Sequence, residues 1–209
     1  MKEFYLGGVC FITDRNLWPE VMDSVKRVLD GGIRWVQLRE KSLTRREVFY
    51  LGEKLRKLTW QYNAILIIND YPDIAIATDA DGVHLGQDDL PIEEARKVLG
   101  NRIIGISTHT IEEALDAQAR GADYIGFGPV YGTTTKPDAL TPRGLQALKT
   151  VSEAVSIPVV AIGGIKLENL KEVLDAGASA VAVASGILSS EDPKRQAEEF
   201  VKIIKEAQR

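Results

Sequence analysis

One cysteine, two histidines and no long apolar run occur in this chain of 209 residues, and each scarcity excludes something. Cys10 can form no internal disulfide and cannot build a metal site alone. In "GGVCFIT" it reads as a small buried core residue. Without sulfur pairs or paired histidines, zinc is disfavoured. No basic stripe is present: net charge is −4, with acidic and basic residues interspersed, so no nucleic-acid partner is expected. No window approaches the roughly 18 apolar residues of a membrane span, so no membrane partner is expected. "MKEFYLGGVCFITD" has no apolar core of a signal peptide and no cleavage-site pattern. A reduced, cytoplasmic setting is the expectation. No Pro/Gly/Ser tract divides the chain and no low-complexity segment occurs. A single domain over 1–209 follows, with a hydrophobic share of 44% that is ample for a core.

What is present is a beat. Short apolar runs fall at 8–13, 33–38, 64–69, 82–85, 103–107, 124–128, 158–163 and 180–184. Many are rich in Val and Ile and lack period-two alternation, as in strands covered on both faces. Amphipathic stretches lie between them. "PEVMDSVKRVLDGG" puts Val21, Val25, Val28 and Leu29 on one face and stops at Gly31-Gly32. Thr44 with Glu47 three residues on has capping-box spacing. "TIEEALDAQARGA" and "LENLKEVLDAGAS" each end at a glycine. Pro91 and Pro193 stand where a first helical turn would begin. Eight strands, each followed by a helix, give an α/β chain whose expected fold is a compact (β/α)8 TIM barrel. An open doubly wound sheet is the competitor, but no G-x-G-x-x-G follows the first strand.

In such a barrel, chemistry sits at the C-terminal strand ends. The segment "IRWVQLREK" ends a buried strand in three charges. Alternation sends Gln37, Arg39 and Lys41 one way and Leu38 and Glu40 the other. The other strand ends contribute Thr13 and Asp14; Asn69 and Asp70; His84, Gln87, Asp88 and Asp89; Ser107 and His109; the loop "GTTTK" with Thr133, Thr134, Thr135 and Lys136; Gly163 and Gly164; and Ser185 and Gly186. Asp70 and Asp89, on adjacent strands, suit Mg2+ held through protein oxygens, waters and substrate phosphates. Either aspartate alone also reads as a helix N-cap. Glycines after strands seven and eight let backbone N–H groups approach a phosphate. The Thr-rich loop and Lys136 add donors, and Arg39 and Lys41 suit a second, larger anion. Two anionic subsites bridged by Mg2+ suggest phosphoryl or pyrophosphate chemistry. His84 in "GVHLG" reads as a hydrogen-bonded structural histidine, and His109 as a residue that caps or faces solvent near the fifth helix.

Together these stretches resemble the thiamine phosphate synthase family. The matching segments are "VQLREK" (36–41), "IIND" (67–70), "ADGVHLGQDDLP" (80–91), "IIGISTHT" (103–110), "GADYIGFGPVYGTTTK" (121–136), "IPVVAIGGI" (157–165) and "AVAVASGI" (180–187). They cover nearly the whole chain. The resemblance implies a barrel transferase that joins hydroxymethylpyrimidine pyrophosphate to thiazole phosphate with Mg2+, releasing pyrophosphate. In the family's dissociative route, pyrophosphate leaves first and the thiazole nitrogen captures the cation. The resemblance assigns Gln37, Leu38, Arg39, Glu40, Lys41 and Asn69 to the pyrimidine pyrophosphate and Asp70 and Asp89 to the metal. It puts Ser107 near the pyrimidine and the leaving group, and Lys136 on the pyrophosphate. Thr133, Thr134 and Thr135, Gly164, and Ala184 with Ser185 line the thiazole phosphate. Catalytic roles fall to Arg39, Lys41, Ser107 and Lys136. The partners implied are these small molecules; a homo-oligomer stays open.

Two positions depart from the family pattern. Tyr71 stands where arginine is common, which either is an outer change or loses an anion contact. Gly132 replaces a proline, so that loop is expected to be more mobile. Three rivals remain. The related thiazole tautomerase carries a histidine after "FG", where this chain has Pro129. Another phosphate-binding barrel is opposed by "VQLREK". A catalytically silent precursor-binding barrel is opposed by intact Asp70, Asp89 and Lys136.

Overall fold

A computed structural model describes residues 6–132 and 141–207. Eight parallel strands close into a barrel in chain order: β1 Gly8–Ile12, β2 Trp35–Leu38, β3 Ile65–Asn69, β4 Gly82–Leu85, β5 Ile103–Thr108, β6 Tyr124–Phe127, β7 Val159–Ile162 and β8 Ala180–Val183. Closure is made by β1 on β8, with Val9 opposite Val181 and Phe11 opposite Val183. The helices are α1 Val21–Asp30, α2 Arg45–Gln61, α3 Pro72–Ala77, α4 Ile92–Leu99, α5 Ile111–Ala119, α6 Gly144–Ala154, α7 Leu167–Asp175, α8 Ser185–Leu188 and α9 Pro193–Ala207.

The local signals act as expected. Thr44 caps α2 by accepting from the Glu47 N–H, while the Glu47 carboxylate accepts from the Thr44 N–H at 2.8 Å. α1 ends at Gly31. Two details differ from the sequence reading. β2 starts at Trp35, not Ile33, because the Ile33 N–H still bonds to Val28 of the preceding helix end. β8 is followed by the single turn α8 before the long α9, so the chain closes with two helices rather than one.

Strands buried on both faces make two cores. Between strands and helices lies an outer layer including Val25, Leu29, Leu66, Ile125 and Phe200. Inside the barrel, Cys10, Ile12, Trp35, Ile65, Ile67, Ile103, Tyr124, Val160, Ala180 and Ala182 pack together. Strand alternation sets which side chain goes where.

The two ends of the barrel differ in how their charges are satisfied. At the N-terminal end Asp81 accepts from Arg56 at 2.7 Å and from the Leu66 N–H at 2.8 Å. Asp123 repeats the device, accepting from Arg96 and from the Ile104 N–H, both at 2.7 Å. These pairs tie helix to strand and fix register. At the C-terminal end the pairs run between loops and strand ends, as Lys41 with Asp70 and Arg15 with Glu40.

Candidate active site

Inward alternation near the C-terminal ends places Gln37, Asn69, His84 and Ser107 on successive strands. Gln37 is buried and donates from Nε2 to Asn69 Oδ1 at 2.7 Å. The Cys10 thiol lies 3.9 Å from the other Gln37 amide atom, Oε1. The two amides thereby orient each other. Burial pushes the Cys10 thiol well above its ordinary pKa, so it stays protonated and inert.

One residue beyond the strands the charges begin. The Lys41 ammonium reaches the Asp70 carboxylate at 2.5 Å. Asp70 has a left-handed φ of 67°, a conformation aspartate tolerates better than most residues. Its N–H donates to the His84 carbonyl, tying the β3 end to β4. Asp89 Oδ2 accepts from the Gly86 N–H at 2.7 Å. The Asp89 carboxyl is held above its ordinary pKa, chiefly by burial and also by the charge and contact of Asp70; Gly86 N–H and Lys41 pull the other way. The two carboxylates from adjacent strands therefore share one place. Neither is a helix cap: the N-cap of α3 is Tyr71 and that of α4 is Pro91.

The donor set tests the expected ion. A second carboxylate close enough to disfavour charge on Asp89 invites a cation, and oxygen donors without thiolate or imidazole suit a hard divalent ion. Among the described residues no group of three or more acidic, histidine or cysteine side chains is arranged to hold a metal. An ion here would complete its shell with water or ligand oxygens.

Arg39 is half-buried, and among the described residues no carboxylate pairs with its guanidinium. Its N–H donates to Thr13 Oγ1 at 3.0 Å, which locks the β1 and β2 ends together. Leu38 and Glu40 separate from this group. Leu38 is 1% exposed and belongs to the outer core. Glu40 faces Thr13 Oγ1 at 3.3 Å and Arg15 Nε at 3.4 Å. The Leu38 side chain is thus committed to the core, while Glu40 stays at the β1 and β2 ends beside Thr13 and Arg15.

Across the mouth, Gly163 and Gly164 have φ of 99° and 63°. A Cβ on Gly164 would come within 2.5 Å of the Gly132 carbonyl oxygen, so the β6 and β7 loops meet through bare backbone. Asn169 Nδ2 donates to the Gly164 carbonyl at 3.0 Å and fixes that turn to α7. Ala184 and Ser185 open α8 on the neighbouring strand end. Thr133, Thr134, Thr135 and Lys136 lie outside the described residues. At the departing position, Tyr71 is half-buried, with the Arg45 guanidinium 4.7 Å above its ring. A cation thus stands beside residue 71 without being part of it.

His84 is hydrogen-bonded, as its sequence context suggested, whereas Tyr124 was not singled out from the sequence. His84 Nε2 lies 2.9 Å from Ser107 Oγ, and His84 Nδ1 lies 2.9 Å from the Tyr124 hydroxyl. Strand register brings them together: Tyr124 stands opposite Gly105, and Gly105 opposite His84. The cap of α5 is Thr110 rather than His109, whose N–H and Nδ1 both meet Glu113 in the first turn.

Known proteins are similar to this chain along most of its length. A sequence model of the family described as thiamine monophosphate synthase matches residues 9–187. The thiamine-phosphate synthase of Pyrococcus abyssi is 48% identical over 195 residues, 93% of each chain. That of Halalkalibacterium halodurans is 45% identical over 210 residues, covering 99% of this chain and 98% of its own. The solved thiamine phosphate pyrophosphorylase from Pyrococcus furiosus superposes with a TM-score of 0.89 at 44% identity, over 96% of both chains. With a barrel rim of this composition and relatives aligned along nearly its whole length, the chain belongs to the thiamine monophosphate synthase family.

Proposed function

We propose that this rim condenses hydroxymethylpyrimidine pyrophosphate with thiazole phosphate, giving thiamine monophosphate and pyrophosphate. The transferase activity is that of the family; the residue roles are our reading. The observation that carries them is the convergence of Lys41, Asp70 and Asp89 beside an Arg39 with no carboxylate partner among the described residues. Arg39 and Lys41 bind the pyrophosphate, and the paired amides of Gln37 and Asn69 orient the pyrimidine. Ser107 donates near the leaving oxygen. Backbone N–H groups at Gly164, Ala184 and Ser185, with Thr133, Thr134 and Thr135, receive the thiazole phosphate. Lys136 completes the positive surround of the pyrophosphate.

Asp70 and Asp89 would hold Mg2+, which when bound neutralises charge on the departing pyrophosphate. The C–O bond between the pyrimidine methylene and the pyrophosphate breaks, and its electron pair leaves with the oxygen. The thiazole nitrogen then supplies the pair that forms the new C–N bond. No proton is removed from that nitrogen, so no general base is required. The protein's work is to stabilise negative charge on the leaving group and to hold the thiazole in line through its remote phosphate. That division accounts for a mouth rich in cations and poor in histidine. A cytoplasmic setting belongs to the same proposal, since Cys10 is buried and needs no oxidising partner.

The test is incubation of purified protein with both precursors and Mg2+. Thiamine monophosphate and pyrophosphate should appear in equal amounts, and chelation should stop both. Interconversion of thiazole isomers without pyrophosphate release would select the tautomerase instead. Binding of either precursor without turnover would select the silent barrel.

A further inference from the structure

Tyr124 is 1% exposed, yet its hydroxyl points up the barrel toward the site. The ring is held edge-on by Trp35, with centroids 5.1 Å apart. It fills space left by Gly105, where a Cβ would stand 2.0 Å from Tyr124 Cζ. Its hydroxyl meets His84 Nδ1 at 2.9 Å, and His84 Nε2 meets Ser107 Oγ at 2.9 Å. The His84 ring is confined too, since a Cβ on Gly126 would lie 3.0 Å from its Cε1. Three groups from β4, β5 and β6 therefore form a line from the dry core to the mouth.

Each link in this line has a direction. A phenol buried among apolar side chains keeps its proton, and a buried O–H needs an acceptor. His84 Nδ1 is the hydrogen-bond partner the structure gives it. A neutral imidazole that accepts at Nδ1 carries its proton at Nε2. That N–H then donates to Ser107 Oγ. Ser107 has one hydrogen, and with the bond to His84 made through its oxygen, that hydrogen is released toward the mouth. The opposite tautomer would reverse the line: Nε2 would accept, and the Ser107 hydrogen would turn away from the substrate. The Ser107 backbone is itself fixed, its carbonyl accepting from Gln87 Nε2 at 2.6 Å.

We propose that Tyr124 is a positioning residue: its hydroxyl holds His84 in the Nε2–H tautomer, so that the Ser107 hydroxyl serves as a hydrogen-bond donor to the pyrimidine pyrophosphate. The inference rests on the reading above that Ser107 faces that substrate.

The tautomer can be read without substrate, from long-range proton–nitrogen correlations of the imidazoles. The chain has two histidines, and a His109→Gln variant assigns the His84 signals. The wild type should show His84 as Nε2–H alone, and Tyr124→Phe should show a mixture or the Nδ1–H form. A wild-type His84 that is Nδ1–H, or doubly protonated at working pH, overturns the proposal whatever the activity. Kinetics supply the second arm. Tyr124→Phe should lower kcat about tenfold, the size of one misdirected hydrogen bond to a charged group, with KM for thiazole phosphate unchanged. Ser107→Ala should cost a similar factor, and the double variant no more than either alone. Multiplying losses would show that Tyr124 acts by packing only, and would overturn the proposal. Absence of wild-type turnover would instead count against the functional reading, while leaving the tautomer measurement to judge the line itself.

Discussion

Single residues at the rim differ in what surrounds them, and the expected effects follow. Asp70 and Asp89 lie against each other and against Lys41. Asp70→Ala and Asp89→Ala should each lower Mg2+-dependent turnover by about a hundredfold or more, with circular dichroism unchanged. Full activity in both would remove the metal pair. Arg39 has no carboxylate partner among the described residues, so Arg39→Ala should raise KM for the pyrimidine pyrophosphate by about tenfold to a hundredfold. KM for thiazole phosphate should hardly move; equal weakening of both would show the subsites are misassigned. Glu40 is a different case beside them. Burial, the largest influence, raises its pKa, while Arg15 and Thr13 lower it. A carboxyl easier to protonate in the folded than in the unfolded chain contributes its stability below the ordinary glutamate range and loses it as pH rises through the folded value. Thermal melts should therefore show Glu40→Gln improving relative to wild type as pH climbs from acid toward neutral. A gap that widens the other way would mean that the Arg15 pair outweighs burial.

Elements explain why these residues can stand where they do. α2 begins at a complete capping box whose hydrogen bonds stay between Thr44 and Glu47. Thr44→Ala should cost about 1 kcal/mol in urea unfolding and leave kcat intact. The turn after β7 is a different kind of element boundary, because its two glycines adopt left-handed backbone against the β6 loop. Gly164→Ala should weaken thiazole phosphate by about tenfold, through a displaced loop as well as an unfavourable φ. An unchanged KM would detach that loop from the phosphate. The bounds of the strands other than β2 were legible in the sequence to within a residue or two, and several helix starts and stops with them, since apolar runs, caps and terminal glycines are local signals. The start of β2 was missed because a helix-end hydrogen bond to Val28 competes for the Ile33 N–H. The one-turn α8 was missed because four residues carry no period.

The whole molecule separates stability from chemistry by face. Asp81 and Asp123 at the N-terminal end each satisfy an arginine and a backbone N–H. Asp81 and Arg56 are mostly buried, with side chains 11% and 14% exposed, so removing one leaves the other uncompensated. Asp81→Ala should destabilise by about 3 kcal/mol while kcat and both KM values hold below the melting range. Asp70→Ala should do the reverse. An Asp81→Ala protein that is stable but inactive would contradict the division. We also propose that the closed barrel behaves as one domain. Calorimetric and van't Hoff enthalpies should then agree for unfolding. No helix among the described residues is long and apolar enough to cross a membrane.

The sequence alone determined the strand–helix beat, the alternation along residues 37–41, and the family likeness. These are properties of local periodicity and of short motifs, which survive without knowledge of partners. Alternation alone already turned Leu38 and Glu40 away from Gln37, Arg39 and Lys41. Only tertiary structure decided that Asp70 and Asp89 are not helix caps, that Arg45 comes to stand over Tyr71, and that Tyr124 reaches Ser107 through His84. Those facts depend on closure of the barrel and on strand stagger, which bring together groups separated by tens of residues. A contact of that range leaves no trace in any local window of the chain.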